Sequence, residues 1–299
     1  MDSVPSLFVE SVCLCLERWS IRRNCRISSI WGEVSSSTFK KIHTLQVFVR
    51  EQEGKFYAAA QPIVSWNYDK AVPVDSVNLK FITNFRIETE TLTDHNNNWK
   101  EISVDKLRRL CEFIKPMTEG TPPVHYDNEY CNKINIGMTS WITRKLLSLR
   151  LHVDCVDLWV LREEFLSDAE EFLQNAGPLY DITIYCRPFV LKHSTVDALI
   201  DKFVPVDGSR FTLFGKNCVT KGQLERLVLK CEMSNKKVTI EILSESFTDS
   251  PKMTDFFDFA QKIQEKQVIA TEEKTKLELR VEYLLPGSLV WEWDVPSRK

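Results

Sequence analysis

The hexapeptide DITIYC, residues 181–186, decides the fold, because an apolar residue stands at every second position. Such alternation is typical of a β-strand with one buried face. The same outline occurs four times in the chain, at successive spacings of 26, 29 and 27 residues. Its paired apolar positions are Val156/Leu158, Ile182/Ile184, Phe211/Leu213 and Val238/Ile240. The last three pairs are therefore predicted to lie on adjacent, parallel strands of one sheet.

A helical pattern follows each of these strands, over residues 162–175, 195–203, 221–231 and 252–264. Less regular members flank the series, namely Ile134/Ile136 with a helix over residues 139–149, and Leu279/Val281. This period predicts an α/β fold of repeated strand-helix units, a leucine-rich-repeat-like curved stack. An ordinary parallel sheet with helices on both faces would produce the same pattern and is the alternative.

The rest of the chain divides by its local patterns into further segments. Residues 1–43 are predicted to be a helical segment, residues 44–120 an α+β segment, and residues 121–299 the repeated strand-helix region. The first segment holds one helix over residues 3–18, with Ser3 as N-cap and Pro5 in the first turn. Its predicted apolar face consists of Leu7, Phe8, Val12, Cys15 and Leu16.

The α+β segment carries strand and helix signals of its own. Strands are predicted over residues 44–50 and 56–64, joined by a turn that contains Gly54, and over residues 78–88. A helix capped by Ser103 follows and runs to residue 115.

In-register stacking of the repeated strands predicts two rows of side chains between the buried positions. One row is Asp157, Thr183, Thr212 and Thr239, and the other is Trp159, Tyr185, Phe214 and Glu241. If helices cover only one face of the sheet, both rows face solvent, and Trp159, Tyr185 and Phe214 are candidate partner-binding residues. If helices pack on both faces, the same aromatic side chains belong to the core.

Composition and motifs argue against several classes of function. The net charge of −3 does not favour nucleic-acid binding, which normally needs a basic field. The chain has only nine glycines, and it contains no dinucleotide, Walker, nucleophile-elbow or HExxH motif. We therefore expect a non-enzymatic protein without cofactor or metal. An α/β enzyme with motifs of another kind is the rival hypothesis.

The cysteines and the hydropathy pattern indicate a compartment. Nine cysteines are an odd number, and most stand in apolar runs, which predicts reduced, buried thiols rather than a disulfide framework. The amino terminus lacks the pattern of a secretory signal, and no apolar run approaches the length of a membrane span. The predicted location is the cytoplasm or the nucleus, with no membrane contact.

The opening VPSLFVESV, residues 4–12, resembles the first helix of an F-box, in which an apolar residue and proline precede a hydrophobic helix. The whole chain resembles a lineage-expanded group of nematode F-box-like proteins with an F-box-associated region. The segments that carry this likeness are IWGE at 30–33, FYAA at 56–59 and WKEIS at 99–103.

The resemblance implies a partner and a role. F-box proteins bind the Skp-type adaptor of cullin ubiquitin ligases and capture a protein substrate, here unknown, with the rest of the chain. The implied adaptor-binding residues are Val4, Pro5, Phe8, Val9 and Val12. A full F-box has three helices, whereas the residue pattern predicts only the first, with Trp31 in place of a late tryptophan. A first helix that packs onto the protein body, in a scaffold without a ligase link, is the alternative.

Overall fold

The computed structural model describes residues 4–64, 68–89, 98–114, 123, 126–215, 219–243, 262–264, 267–271, 277–285 and 288–295. The chain divides into two compact units. Unit 1 comprises residues 1–119 and 128–133, and unit 2 comprises residues 120–127 and 134–299. Both units combine helices with strands, which confirms the predicted α/β class.

Three helices open the described part of unit 1: α1 (Ser6–Cys15), α2 (Arg18–Asn24) and α3 (Ile30–Lys41). A sheet follows with the order β3-β1-β2-β4. Its strands are β1 (His43–Arg50), β2 (Lys55–Pro62), β3 (Ile82–Thr89) and β4 (Lys100–Ile102), and the helix α4 (Val104–Phe113) comes next. β1 pairs antiparallel with β2 and parallel with β3.

The predicted hairpin and the predicted capped helix of unit 1 are confirmed. Gly54 has a φ of 65° in the turn between β1 and β2, a backbone region that glycine enters without steric cost. The Ser103 hydroxyl accepts a hydrogen bond from the backbone N–H of Lys106 over 3.2 Å and caps α4. The predicted strand over residues 78–88 begins later, at Ile82, because a 3₁₀ turn (Leu79–Phe81) precedes it.

The prediction of a single helix before β1 is wrong. The chain leaves α1 at Cys15 and forms α2 and α3 within the basic, serine-rich stretch. α3 buries Gly32, Ser35 and Thr38 rather than large apolar residues. A Cβ on Gly32 would come within 1.9 Å of the Ile27 carbonyl oxygen, so this close approach requires glycine. Because these buried residues are small or polar, α3 has no helical spacing of apolar residues, and the hydrophobic pattern therefore does not predict it.

Unit 2 is built on a sheet with the order β5-β6-β7-β8-β9-β13-β12-β11-β10. The strands are β5 (Lys133–Met138), β6 (Cys155–Val160), β7 (Asp181–Cys186), β8 (Ser209–Gly215), β9 (Val238–Leu243), β10 (Lys262–Gln264), β11 (Gln267–Thr271), β12 (Glu278–Leu285) and β13 (Ser288–Asp294). The helices α5 (Trp141–Leu147), α6 (Leu166–Asn175), α7 (His193–Lys202) and α8 (Lys221–Ser234) connect β5 through β9.

The repeated strand-helix region is confirmed from β6 to β9, where neighbouring strands pair in parallel. Beyond β9 the predicted repeat is wrong. Leu279 and Val281 lie on β12, which pairs antiparallel with both β11 and β13. Residues 262–264, the end of a predicted helix, form β10 instead, and residues 252–261 lie outside the described residues.

Candidate functional site

The alternation of side chains gives the parallel strands of unit 2 two different faces. Residues on one face are completely buried: Val156, Leu158, Ile182, Ile184, Phe211 and Leu213. Successive helices α5 to α8 pack against one another along the sheet. Parallel strand-helix-strand connections of the same hand place their helices on the same side. The opposite face of β6 to β9 is therefore free of α5 to α8. We call this face, with its continuation on β13 and β12, the helix-free face.

An aromatic row crosses this helix-free face. The parallel register sets Trp159 opposite Tyr185 and Tyr185 opposite Phe214. The Trp159 and Tyr185 rings are stacked, with centroids 4.7 Å apart and planes 23° apart, and the Tyr185 and Phe214 centroids lie 6.4 Å apart. Trp159 is 43% exposed, and the other two side chains are half-buried. The predicted row is confirmed for Trp159, Tyr185 and Phe214, but its fourth predicted member, Glu241, is wrong, because Phe214 lies opposite Leu243. The partial exposure of all three aromatic side chains does not fit the alternative in which they belong to the core.

Asp157 holds the first member of the aromatic row in place. It lies two residues before Trp159 on the same face of β6, and the Trp159 Nε1–H donates to its carboxylate over 2.9 Å. A ring with its N–H already bonded keeps one orientation, and part of the Trp159 surface stays exposed. Leu161 follows directly after β6 and adds a further exposed apolar side chain.

The polar row beside the aromatic row differs from the predicted one in its last strand. Thr212 lies opposite Glu241, and Thr239 lies opposite Arg210, so the expected positions on β9 are wrong by two residues. β9 carries three alternating apolar residues, Val238, Ile240 and Ile242, and spacing alone does not decide which pair is in register. The polar row is therefore Asp157, Thr183, Thr212 and Glu241.

Thr212 and Glu241 of the polar row make no side-chain hydrogen bond within the described part of the chain. Thr212 is only 2% exposed, and its Oγ1 has no partner. Glu241, directly opposite, is half-buried, and burial raises the pKa of its carboxyl while the charge of Arg210 acts in the other direction. Unsatisfied buried polar groups are rare in folded proteins and concentrate at functional sites.

The predicted adaptor-binding residues lie on both sides of α1. Pro5 and Phe8 are exposed, Val4 and Val12 are half-buried, and Val9 is completely buried. Helix α1 packs on α3, and it buries Val9 and Cys13 rather than the predicted face. Leu7, expected on that packed face, is 75% exposed beside Phe8, which is 56% exposed. The exposed apolar pair on α1 is thus Leu7 and Phe8.

A polar network, which the hydrophobic pattern did not indicate, holds the helical segment on the sheet of unit 1. Arg18 is buried at the start of α2 and donates to Thr44 Oγ1 over 3.1 Å and to Asn84 Oδ1. Its guanidinium also lies 4.4 Å from the centre of the Tyr130 ring. These contacts keep α2, and α1 before it, in a defined position on the sheet.

A second anchor acts on α1 itself. Glu10 pairs with Lys80 over 2.6 Å and with Lys41 over 3.4 Å. The hydrogen bond from Lys80 is the main cause that lowers the pKa of the Glu10 carboxyl. Leu7 and Phe8 therefore lie on a helix whose middle is held in place by two ion pairs.

The cysteines fit a structural role more than a catalytic one. None of the described cysteines forms a disulfide, as predicted, although Cys15 is exposed rather than buried. Burial raises the pKa of the Cys111, Cys186 and Cys231 thiols to about 12. Such thiols stay protonated at neutral pH and are poor nucleophiles.

Among the described residues, histidine, cysteine and acidic side chains form no cluster of three that could hold a metal ion. No helix in this part of the chain combines the length and apolar character needed to cross a membrane. Among known proteins, no family model and no curated sequence matches the chain.

Proposed function

We propose that the chain is a non-enzymatic interaction protein that captures a protein partner on the helix-free face of unit 2. The observation that supports this most strongly is the aromatic row, whose Trp159 ring is stacked on Tyr185 and remains 43% exposed. Rigid aromatic side chains supply large contact areas at a small entropic cost, and they dominate binding energies in protein interfaces.

The proposed role is that of a substrate-recognition subunit of a cullin-type ubiquitin ligase. Three helices occupy unit 1 before its sheet, in the place where the resemblance implies the helices of an F-box. The exposed Leu7 and Phe8, together with Pro5 and the half-buried Val4 and Val12, are the surface offered to a Skp-type adaptor. Val9 supports this surface from beneath and does not contact the adaptor.

We also propose that β5 to β9 with α5 to α8 form a curved, leucine-rich-repeat-like stack. Strands in sequential order with helices on one face support this proposal. A sheet covered by helices on one face bends toward its free face. The reason is that the diameter of a helix exceeds the spacing between neighbouring strands. The antiparallel strands β13 to β10 extend the stack in a manner unlike a standard repeat.

Affinity purification of the tagged chain followed by mass spectrometry tests the proposed function. The wild-type chain and Trp159→Ala are compared, with Trp141→Ala as the matched control, since Trp141 is also exposed but lies on α5. A protein lost with Trp159→Ala and retained with Trp141→Ala is the expected result. Equal recovery with all three chains would contradict binding at the aromatic row.

The ligase link is tested separately with a purified Skp-type adaptor. Binding by the wild-type chain is expected, and it should weaken with Phe8→Ala. Phe113→Ala is the control, because Phe113 is as exposed as Phe8 but lies at the end of α4. If the wild-type chain does not bind the adaptor, the protein is a scaffold or binding protein without a ligase link.

A further inference from the structure

The polar row contains two acceptor groups that lack a donor. Thr212 Oγ1 has no hydrogen-bond partner, and no hydrogen bond or ion pair within the described residues reaches the Glu241 carboxylate. Their strands are neighbours with Thr212 and Glu241 in register, about 4.8 Å apart across the sheet. A carboxylate and a hydroxyl at this distance can both accept from one ligand that carries several N–H donors.

The charge of the whole helix-free face favours a cationic ligand. The register of β6 to β9, β13 and β12 places these carboxylates on it: Asp157, Asp181, Glu241, Glu278, Glu282, Glu292 and Asp294. Among the described residues of these strands, the guanidinium groups on this face are Arg210 and Arg280, and Lys237, directly before β9, pairs with Asp294 over 2.6 Å. The carboxylates still outnumber these cations. A phosphate or an acidic peptide would be repelled by this surface.

Arg210 does not neutralise Glu241 directly. Its Cα lies opposite Thr239 rather than Glu241, its side chain is exposed, and it acts on the carboxylate only through its charge. Among the described residues, Arg210 forms no ion pair with Glu241. Arg210 therefore leaves the Glu241 carboxylate free to accept hydrogen bonds from a second guanidinium.

The aromatic row lies at the right distance to hold the stem of such a ligand. Phe214 is two residues beyond Thr212 on the same face of β8, about 6.6 Å along the strand. Tyr185 lies beside Phe214, with their ring centroids 6.4 Å apart. An extended arginine side chain is of comparable length, so its stem can cover these rings while its guanidinium reaches Glu241.

We infer that this face binds an arginine side chain from a basic segment of the partner protein, with the guanidinium at Glu241 and Thr212 and the stem on Tyr185 and Phe214. The inference rests on the proposed function, since it names the chemistry of the captured partner. Arginine suits the site better than lysine, because a planar guanidinium offers a fork of donors and stacks on aromatic rings.

Fluorescence anisotropy with a labelled oligo-arginine peptide tests the inference. Glu241→Gln should weaken binding about tenfold to a hundredfold, the usual loss for a hydrogen-bonded charge. Glu232→Gln is the control, because it makes the same charge change at an exposed position on α8. Arg210→Gln should strengthen binding, and an oligo-lysine peptide of equal length should bind less tightly than oligo-arginine.

Three results would overturn the inference: equal weakening by Glu241→Gln and Glu232→Gln, weaker binding by Arg210→Gln, or preferred binding of oligo-glutamate. Thr212→Val, a near-isosteric change that removes the acceptor hydroxyl, should also weaken oligo-arginine binding. It tests the inference if Glu241→Gln fails to fold. The proposed function has a separate outcome. If Trp159→Ala loses the captured partner while Glu241→Gln retains it fully, the arginine site is wrong and the interaction surface stands.

Discussion

Trp159 and Tyr185, on neighbouring parallel strands, stack with ring centroids 4.7 Å apart and an angle of 23° between their planes. The stack exists because 26 residues separate positions that fall into register, as in Val156 opposite Ile182. It remains accessible because the helices that follow these strands pack on the other face. Sequence period and one-sided helix packing together produce an ordered, partly exposed apolar surface.

Phe8→Ala should weaken adaptor binding by about 2 kcal/mol, roughly thirtyfold, because a large exposed anchor is lost. The free energy of unfolding should change by less than about 0.5 kcal/mol, since the side chain is 56% exposed. Titration calorimetry with purified adaptor and a thermal melt measure the two quantities. A loss of about 3–5 kcal/mol in stability would instead place Phe8 in the core.

Arg18→Ala should lower the free energy of unfolding of unit 1 by about 3 kcal/mol or more. The substitution removes the charged donor of Thr44 and Asn84 and leaves both side chains buried. Denaturant titration measures the change. Arg22→Ala, in the exposed part of α2, should alter stability little, and equal effects of the two variants would contradict the anchoring role of Arg18.

Thr212→Val should raise the free energy of unfolding by about 1 kcal/mol, because it replaces an unsatisfied buried hydroxyl with a methyl group of similar shape. Thr183→Val, half-exposed on the neighbouring strand, is the control and should be close to neutral. Chemical denaturation compares the two. Destabilisation by Thr212→Val would show that the hydroxyl is needed for folding, and not for a ligand.

Glu241→Gln should raise the melting temperature at neutral pH and leave it unchanged in acid. Burial raises the pKa of Glu241, so the folded chain holds this proton more tightly than the unfolded chain. Its contribution to stability is complete below the ordinary glutamate pKa and is lost as pH rises through the raised value. The charged groups beside it on the same face are Arg210 on β8 and Glu292 on β13, both opposite Thr239, two residues before Glu241.

Thermal melts of both chains across a pH series check this expectation. A lower melting temperature of Glu241→Gln at neutral pH would mean that the surroundings stabilise the ionised carboxylate. This result would contradict the claim that Glu241 lacks a cationic partner in the folded chain.

Much of unit 2 is predictable from the sequence, because its strands alternate strictly and recur at an even period. The register of β6, β7 and β8 follows from this period, and with it the aromatic row. The register of β9 does not follow, since Ile240 and not Val238 lies opposite Phe211. The juxtaposition of Thr212 and Glu241 could therefore be found only in the structure.

The helices α2 and α3 show a different limit of the sequence pattern. Their buried side chains include Gly32, Ser35, Thr38 and Arg18, which carry no apolar signal. Close approach of small residues and a buried guanidinium network stabilise this region in place of a hydrophobic face. The exposure of Leu7 follows from the same packing, because α1 turns Val9 and Cys13 toward the body of unit 1.

The affinity of Trp159→Ala for the partner recovered by affinity purification tests the central claim most directly. Binding should fall at least about thirtyfold relative to the wild-type chain, the loss typical of a central aromatic anchor. Trp141→Ala should bind as the wild-type chain does, and melting curves should show both variants folded. Wild-type affinity in folded Trp159→Ala would contradict the claim that the aromatic row is the interaction surface.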